Sequence, residues 1–168
     1  MKVKEVMIRD VKTCRAGENL NRAAQIMWEF DCGTVPVVDE AGSVKGMITD
    51  RDVCMAAYTK GRRLESIQVR SAMSAEVATC SPDDTLEGAL SIMKKARVRR
   101  LPVTDRGGRL VGILSMNDLA REAWREIESS DRHAITTDLA VALGTICEPT
   151  SPASAARKSA STLVGTGS

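Results

Sequence analysis

The sequence is poor in the residue types on which several classes of function depend. Aromatic residues make up only 2% of the 168 residues, so the stacking of bases on aromatic side chains, which is common in single-stranded nucleic acid binding, is not expected. There is one histidine, His133, and the five cysteines are odd in number and include no Cys-x-x-Cys spacing. This pattern favours neither a zinc site nor a disulfide framework. A formal net charge of +2 is also far from the basic excess typical of duplex DNA-binding domains.

Signals for membranes and for catalysis are missing as well. No apolar run approaches the roughly 20 residues of a membrane span, and the start "MKVKEVMIRD" has no continuous apolar segment of the export type. We therefore expect a cytoplasmic protein with no membrane partner and no nucleic acid partner. The sequence contains no phosphate-binding Gly-x-x-x-x-Gly-Lys and no Gly-x-Ser-x-Gly, so we expect that it is not an enzyme and has no catalytic residues.

What the chain does contain is a duplicated unit. Sliding the sequence by 66 residues aligns 3–58 with 69–124 without a gap, and sixteen aligned pairs are identical, among them Pro36 with Pro102 and Asp52 with Asp118. A repeat of two such copies predicts a pseudo-symmetric pair instead of an extended array.

Each copy has the same predicted order of strand, helix, strand, strand and helix. Asn19 and Thr85 are suited to cap the first helix of their copies, because apolar residues follow at helical spacing. The predicted strands are Val11–Cys14, Val35–Val38 and Val44–Ile48 in the first copy, and Val77–Cys80, Leu101–Thr104 and Leu110–Leu114 in the second. The second helices are expected at about Arg51–Tyr58 and Asn117–Glu128.

These elements predict an α+β fold in which the two copies pack sheet against sheet, because the exposed apolar face of a lone copy needs a partner. We assign 1–60 to the first copy, 61–68 to a linker and 69–130 to the second copy. Residues 131–148 are expected to form a short helical extension. Residues 149–168, "PTSPASAARKSASTLVGTGS", are low in complexity and expected to be disordered.

A polar motif ends the hairpin of each copy. Thr49-x-x-Asp52 and Ser115-x-x-Asp118 match a capping pattern at the start of a helix. A helix N-terminus also attracts phosphate, and a carboxylate in its first turn is suited to bind the hydroxyl groups of a ribose, as in dinucleotide-binding folds. The same short motif therefore suits a cap, a ribose-phosphate site, or both.

With these signatures, standing at Gly33 to Asp52 and at Arg99 to Asp118, the chain resembles the cystathionine-β-synthase (CBS) domain family over residues 1 to about 125. Tandem pairs of this domain are called Bateman modules. The resemblance implies a regulatory module that binds adenosine-containing ligands in clefts between two CBS repeats. It also implies a flat homodimer formed through the helices, for which Met55, Tyr58, Ala123 and Trp124 are the candidate contacts.

The resemblance assigns the ligand groups to particular positions of this sequence. The ribose is expected at Asp52 and Asp118. The phosphates are expected at Thr49, Arg51, Ser115, Asn117, Arg99 and Arg100. The adenine pocket is expected to be lined by Val11, Thr13, Gly33, Thr34, Val35 and Pro36 in the first copy, and by Val77, Thr79, Leu101 and Pro102 in the second.

The two copies differ in their charged positions, which predicts sites of unequal affinity. Arg51 lies inside the first motif, whereas Arg99 and Arg100 precede the second strand of their copy, and the three are expected to form one cationic patch. Asp50 would repel a phosphate unless it is paired with Arg51 or with Mg²⁺.

The function predicted from the sequence is a nucleotide sensor. Its ligand would be an adenine nucleotide such as AMP, ADP or ATP, in keeping with energy sensing, and the sequence leaves NAD, S-adenosylmethionine and a cyclic dinucleotide open as alternatives. The module would act on a protein target that the sequence does not identify. The alternative is a structural dimerisation module with no ligand, in which the two motifs serve only as caps.

Overall fold

The computed structural model describes residues 1–128 and 134–147. The predicted tail and His133 lie outside the described residues. The helices are α1 (Val3–Val6), α2 (Leu20–Glu29), α3 (Asp50–Lys60), α4 (Leu86–Ala96), α5 (Met116–Glu128) and α6 (Ala134–Cys147), and the strands are β1 (Thr34–Val38), β2 (Val44–Thr49), β3 (Arg100–Thr104) and β4 (Leu110–Ser115). The predicted α+β class and the short C-terminal helix are confirmed.

Each copy is built on an antiparallel hairpin with the same register. Thr34 lies opposite Thr49 in β1–β2, and Arg100 lies opposite Ser115 in β3–β4. The register shifts at equivalent places near the turn in both hairpins. The turns are alike because the side chain of Asp105 repeats that of Asp39: each Oδ1 accepts two backbone N–H groups of its own turn, at 2.8 to 3.0 Å. The sequence therefore predicted these hairpins to within one residue.

The leading strand of each copy is reduced to a single residue. Cys14 forms a parallel bridge with Val37, and Cys80 forms one with Val103. The N–H of Cys14 donates to the Pro36 carbonyl at 3.1 Å, and the Cys14 carbonyl accepts from Val38 at 2.9 Å. No further pair follows because the chain turns immediately afterwards. Each hairpin therefore forms a two-stranded sheet, and this segment adds a single bridge to the edge of its first strand.

The structure has two hydrophobic cores, and each is completed by the segment at the start of the other copy. Val69 is fully buried in the core of the first copy, together with Ile67, whereas Val3 and Met7 are buried in the core of the second. The backbone follows the same exchange, since Ile8 bridges to Ile113 of β4 and Ser74 bridges to Met47 of β2. The leading segments therefore cross between the copies.

Two glycines allow these crossing segments to approach the hairpins. A Cβ atom on Gly46 would lie 2.7 Å from the Met73 sulfur and 3.0 Å from the Ser74 carbonyl oxygen. At the equivalent Gly112 it would lie 2.6 Å from the Met7 sulfur and 3.0 Å from a backbone oxygen. The methionine sulfurs can move aside, but the backbone oxygens at 3.0 Å are closer than an ordinary contact, so both positions favour glycine.

The copies also contact each other at their hairpin turns. The N–H of Val44 donates to the Gly108 carbonyl at 3.2 Å, and the N–H of Leu110 donates to the Gly42 carbonyl at 3.0 Å. These reciprocal bonds place the two sheets on either side of a pseudo-twofold axis, which leaves a cleft between the copies at the opposite end of the hairpins.

Helix α6 packs against α4 and α5 of the second copy. Its apolar side chains Ile135, Leu139 and Ala142 are buried in the second core. Within residues 1–128 and 134–147, no helix combines the length and the apolar character needed to cross a membrane.

Candidate functional site

The motif at the end of the first hairpin forms a reciprocal cap. The Thr49 hydroxyl oxygen accepts the N–H of Asp52 at 3.1 Å, and Oδ2 of Asp52 accepts the N–H and the hydroxyl of Thr49 at 2.9 and 2.7 Å. This arrangement starts α3 where β2 ends, because it satisfies backbone groups that the first turn leaves unpaired. The other carboxylate oxygen of Asp52 has no hydrogen-bond partner within the part of the chain that the structure describes.

The second motif forms the same cap but adds an ion pair. Oδ2 of Asp118 accepts the N–H of Ser115 at 2.8 Å and also its hydroxyl. Oδ1 of Asp118 is paired with the guanidinium of Arg121, and the residue is only 3% exposed. The two predicted ribose carboxylates are therefore not equivalent, since a ligand at Asp118 would have to displace Arg121.

A cavity of about 1100 Å³ opens between the two copies. Its walls come from the N-terminus of α3, from the segment that crosses between the copies, and from the end of α4 with the start of β3. The lining includes Gly33, Thr34, Thr49, Asp50, Arg51, Glu76, Val77, Ala78, Arg97, Arg99, Arg100 and Ile146. This volume exceeds the range usual for small-molecule sites, so it can hold a nucleotide.

The cavity is polar at one side and positively charged overall. Four arginine residues line it against the carboxylates of Asp50 and Glu76. The N-terminus of α3 opens into it at Thr49, which adds the positive end of a helix dipole. The guanidinium of Arg100 donates to the Thr34 hydroxyl at 3.0 Å across the two copies. This combination favours an anionic ligand such as a phosphate.

Asp50, the first residue of α3, lines this cavity beside Thr49 and Arg51. Its Oδ1 accepts the N–H of Arg51 at 2.6 Å, and its Oδ2 lies close to Gly33, 3.0 Å from where a Cβ would stand. Asp50 is thus bonded to the backbone of Arg51 and not to its guanidinium.

The cavity brings together only some of the residues predicted from the sequence. Those that line it are Gly33, Thr34, Thr49, Arg51, Val77, Arg99 and Arg100. Those that do not line it are Val35, Pro36, Asp52, Thr79, Leu101, Pro102, Ser115, Asn117 and Asp118. Val35 and Leu101 are fully buried in the two cores, because their side chains face away from the cleft. Val11 and Thr13 line a separate cavity of about 210 Å³ beside β4.

The crossing of the leading segments changes which residues meet. The sequence grouped Val77 with Thr79, Leu101 and Pro102 of its own copy. In the structure, Val77 lies in one cavity with Gly33, Thr34 and Thr49 of the first copy. Sequence reasoning also missed Glu76, Ala78, Arg97 and Ile146. The signal for Glu76 and Ala78 was their position next to Val77, whereas nothing in the sequence pattern indicated that α6 reaches this cavity.

The buried cysteines are unsuited to chemistry at this site. Burial raises the pKa of the Cys14 and Cys80 thiols to about 12, so both stay protonated at neutral pH. They occupy equivalent bridge positions in the two cores, which indicates a packing role.

Comparison with known proteins identifies the repeat. The family model described as "CBS domain" matches residues 3–58 and 69–125. The CBS domain-containing protein YhcV of Bacillus subtilis is 36% identical over 118 residues, which cover 70% of this chain and 82% of YhcV. The homoserine O-acetyltransferase of Methanococcoides burtonii is 34% identical over 71% of this chain, but the match covers only 23% of that enzyme.

A solved structure that shares the fold was determined with two adenosine-containing ligands. The CBS domain pair of protein MJ0100, determined with 5′-methylthioadenosine and S-adenosyl-L-methionine, superposes with a TM-score of 0.68 at 25% identity. The superposition covers 75% of this chain and 98% of that pair. The similarity therefore extends over the whole of a two-repeat module that holds adenosine-containing ligands.

Proposed function

The chain belongs to the CBS domain family, and from that premise we propose that it is a regulatory module that binds an adenine nucleotide in the cleft between its two repeats and modulates a partner protein. The ligand class is AMP, ADP or ATP, in keeping with a role in energy sensing. The location in the cytoplasm stays a prediction from the sequence.

One observation carries this proposal: the cavity between the copies joins a helix N-terminus and three predicted phosphate-binding arginines, Arg51, Arg99 and Arg100. A module with a purely structural role needs the caps but has no use for cations gathered around a cavity. The bound ligands of the MJ0100 pair support the adenosine class.

The residues receive the following roles in the proposal. Arg51, Arg99 and Arg100 neutralise the phosphates, and the Thr49 hydroxyl contacts the nearest of them. Asp52, whose Oδ1 has no partner among the described residues, binds the ribose after a small movement of the first turn of α3. A second, weaker nucleotide site is formed by Ser115, Asn117 and Asp118. It binds more weakly because the Asp118 carboxylate is already paired with the guanidinium of Arg121.

The regulatory step follows from the position of the cavity. A nucleotide held by Arg51 of one copy and by Arg99 or Arg100 of the other bridges the two copies. Binding therefore favours one angle between the copies and alters the surface that they offer to a partner protein.

The proposal includes a homodimer in which Met55, Tyr58 and Trp124 form the contact surface, since these side chains are 45%, 81% and 61% exposed. Ala123 does not belong to that surface, because it is only 4% exposed and lies in the second core.

The first test is isothermal titration calorimetry of AMP, ADP, ATP, NAD, 5′-methylthioadenosine and S-adenosylmethionine, with and without Mg²⁺. We expect one tight site, weakened about 10- to 100-fold by Asp52→Ala, because a lost hydrogen bond to a charged group is worth about 1.5–3 kcal/mol. If Mg²⁺ screens Asp50, then ATP and ADP should bind more tightly in its presence, whereas S-adenosylmethionine should not.

The matched control is Thr85→Ala. Thr85 caps α4 by accepting the N–H of Gly88 at 3.1 Å, and it does not line the cavity. It should lose about 1 kcal/mol of stability, as a cap does, while keeping full affinity. If none of the six compounds binds the parent chain, and both variants lose only stability, the two motifs are caps and the structural dimerisation module is the better description.

A further inference from the structure

The nucleotide cavity has a pseudo-symmetric counterpart, because the two copies are related by the axis that runs between their hairpin turns. The cavity lies between the N-terminus of α3 and the crossing segment 74–78. The 66-residue shift places its counterpart between the N-terminus of α5 and residues 8–12. In both places a single bridge joins the crossing segment to the strand that leads into the helix. We call this counterpart the second cleft.

Two small side chains leave space in the nucleotide cavity that two large ones occupy in the second cleft. Ala78 of the crossing segment and Ala96 at the end of α4 both line the nucleotide cavity. The same shift relates Ala78 to Lys12 and Ala96 to Phe30. The two clefts therefore differ in how much of their volume the chain itself fills.

The backbone is the same in both copies where α2 and α4 end. Asp31 follows Phe30 and Arg97 follows Ala96, and both following residues have a left-handed backbone, with φ of 47° and 54°. The N–H of Phe30 donates to the Ile26 carbonyl at 3.0 Å, which ties Phe30 to the last turn of α2. At this point the copies therefore differ in their side chains and not in the path of the chain.

Lys12 and Phe30 are in direct contact with each other. The ammonium of Lys12 lies 4.9 Å from the centroid of the Phe30 ring, which is within the range of a cation–π interaction. The same ammonium donates to both carboxylate oxygens of Asp10, at 2.8 and 3.1 Å. The side chain of Lys12 is 37% exposed and Phe30 is 50% exposed, as expected for a pair at the mouth of a cleft. The contact joins segment 8–12 to the end of α2.

We propose that the Lys12–Phe30 pair closes the second cleft and so limits the module to one tightly bound nucleotide per chain. This inference rests on the proposed function, and it adds a second cause for the weaker site at Asp118. The pair excludes a ligand by occupying its space, which is discrimination by a built-in clash. The charge of Lys12 does not serve a phosphate there, because the Asp10 carboxylate and the Phe30 ring already hold the ammonium.

The test counts the molecules of AMP bound per chain by equilibrium dialysis. We expect the parent chain to bind one molecule tightly, with any second site at least about tenfold weaker. The double variant Lys12→Ala, Phe30→Ala recreates the two alanines of the nucleotide cavity and should bind two. The matched control is Lys45→Ala, which removes a lysine that pairs with Asp39 and does not line the nucleotide cavity. It should still bind one.

The reverse exchange tests the same pair in the nucleotide cavity. Ala78→Lys together with Ala96→Phe transfers the pair there and should weaken AMP binding at least about tenfold. Thermal unfolding shows whether this double variant folds. Ala96→Phe alone changes an exposed position and should weaken AMP binding in the same direction, so it keeps the test decisive if the double variant does not fold.

A ligand without a phosphate separates this proposal from one in which Lys12 binds a phosphate. If the pair closes the cleft, the double variant gains a second site for 5′-methylthioadenosine as well as for AMP. If Lys12 instead held a phosphate, the parent chain would bind two molecules of AMP and Lys12→Ala would lose one of them, which overturns the proposal. A second site that appears in Arg121→Ala but not in the double variant also overturns it, because the Arg121 ion pair would then close the cleft.

The proposed function and the closed cleft fail in different ways. Two molecules of AMP bound with similar affinity by the parent chain overturn the closed cleft and leave the nucleotide module standing. No binding by the parent, with one molecule bound by the double variant, overturns the site at Arg51 and leaves the closed cleft standing. No binding by either chain overturns both.

Discussion

At the scale of single residues, the two copies use identical motifs in different electrostatic surroundings. Asp52 and Asp118 both cap a helix, but only Asp118 is almost fully buried and paired with an arginine. The Arg121 side chain is itself 63% exposed, so water solvates its charge when the carboxylate is removed, and the pair adds only a modest amount to the cap. The sequence predicted both caps and a difference between the copies, yet it did not predict the ion pair at Asp118, because Arg121 at i+3 is also an ordinary surface position on a helix.

This difference predicts unequal losses of stability. Asp118→Ala should lower the free energy of unfolding by about 1–3 kcal/mol, because it removes the cap and the partner of Arg121. Asp52→Ala should lose only the cap, about 1 kcal/mol. Urea unfolding at neutral pH, followed by circular dichroism, measures both values. Equal losses would mean that the Arg121 pair contributes nothing.

The buried thiols predict a stability that falls at alkaline pH. The pKa of Cys14 and of Cys80 rises in the folded state from 9.0 to about 12. Above pH 9 the unfolded thiols ionise while the folded ones stay protonated, so the folded state binds more protons and stability decreases with pH. We expect this loss between about pH 9 and 12, and the double variant Cys14→Ala, Cys80→Ala should show a smaller decrease over the same range. If the two chains show the same slope, other groups cause the loss.

At the scale of elements, local sequence patterns predicted the helix caps and the limits of the hairpins. They did not predict in which of the two cores each leading segment packs. The caps at Asn19 and Thr85 and the limits of both hairpins follow from side-chain types within a few residues. The exchange of Val3 and Val69 does not, because two equivalent cores offer nearly the same apolar surface to either segment. The sequence also assigned Val77 to the wrong neighbours for this reason, because Val77 lies on the segment that crosses to the first copy.

The crossing segments pack closely against two glycines, Gly46 and Gly112. Gly46→Ala and Gly112→Ala should each destabilise the chain by about 1–3 kcal/mol, the usual range for overpacking, because a methyl group would meet a methionine sulfur and a backbone oxygen. Gly17→Ala is the control, as nothing lies within 4 Å of its Cβ position. Thermal unfolding of the three variants checks this, and a Gly46 variant as stable as the Gly17 variant would contradict the close approach.

At the scale of the whole molecule, the two repeats of the sequence do not coincide with the two hydrophobic cores. Residues 3–7 begin the first copy but belong to the second core, whereas residues 67–73, at the start of the second copy, belong to the first core. The duplicated unit in the sequence is therefore not the unit that packs.

Hydrogen exchange measured by mass spectrometry tests this directly. Val3→Ala removes about two buried methylene equivalents, worth roughly 2 kcal/mol with the cavity it leaves. It should speed up exchange in α4, which lies more than eighty residues further along the chain, and leave α2 unchanged. Val69→Ala should do the reverse. If Val3→Ala affected α2 instead, the two cores would not be exchanged.

The crossing also decides where a mechanical load would act. A force applied to the first residues pulls on Val3 and Met7, and through them on the core that lies furthest along the chain. A force applied to the N-terminus would thus reach the core of the second copy and of α6 before it reaches the core of the first copy.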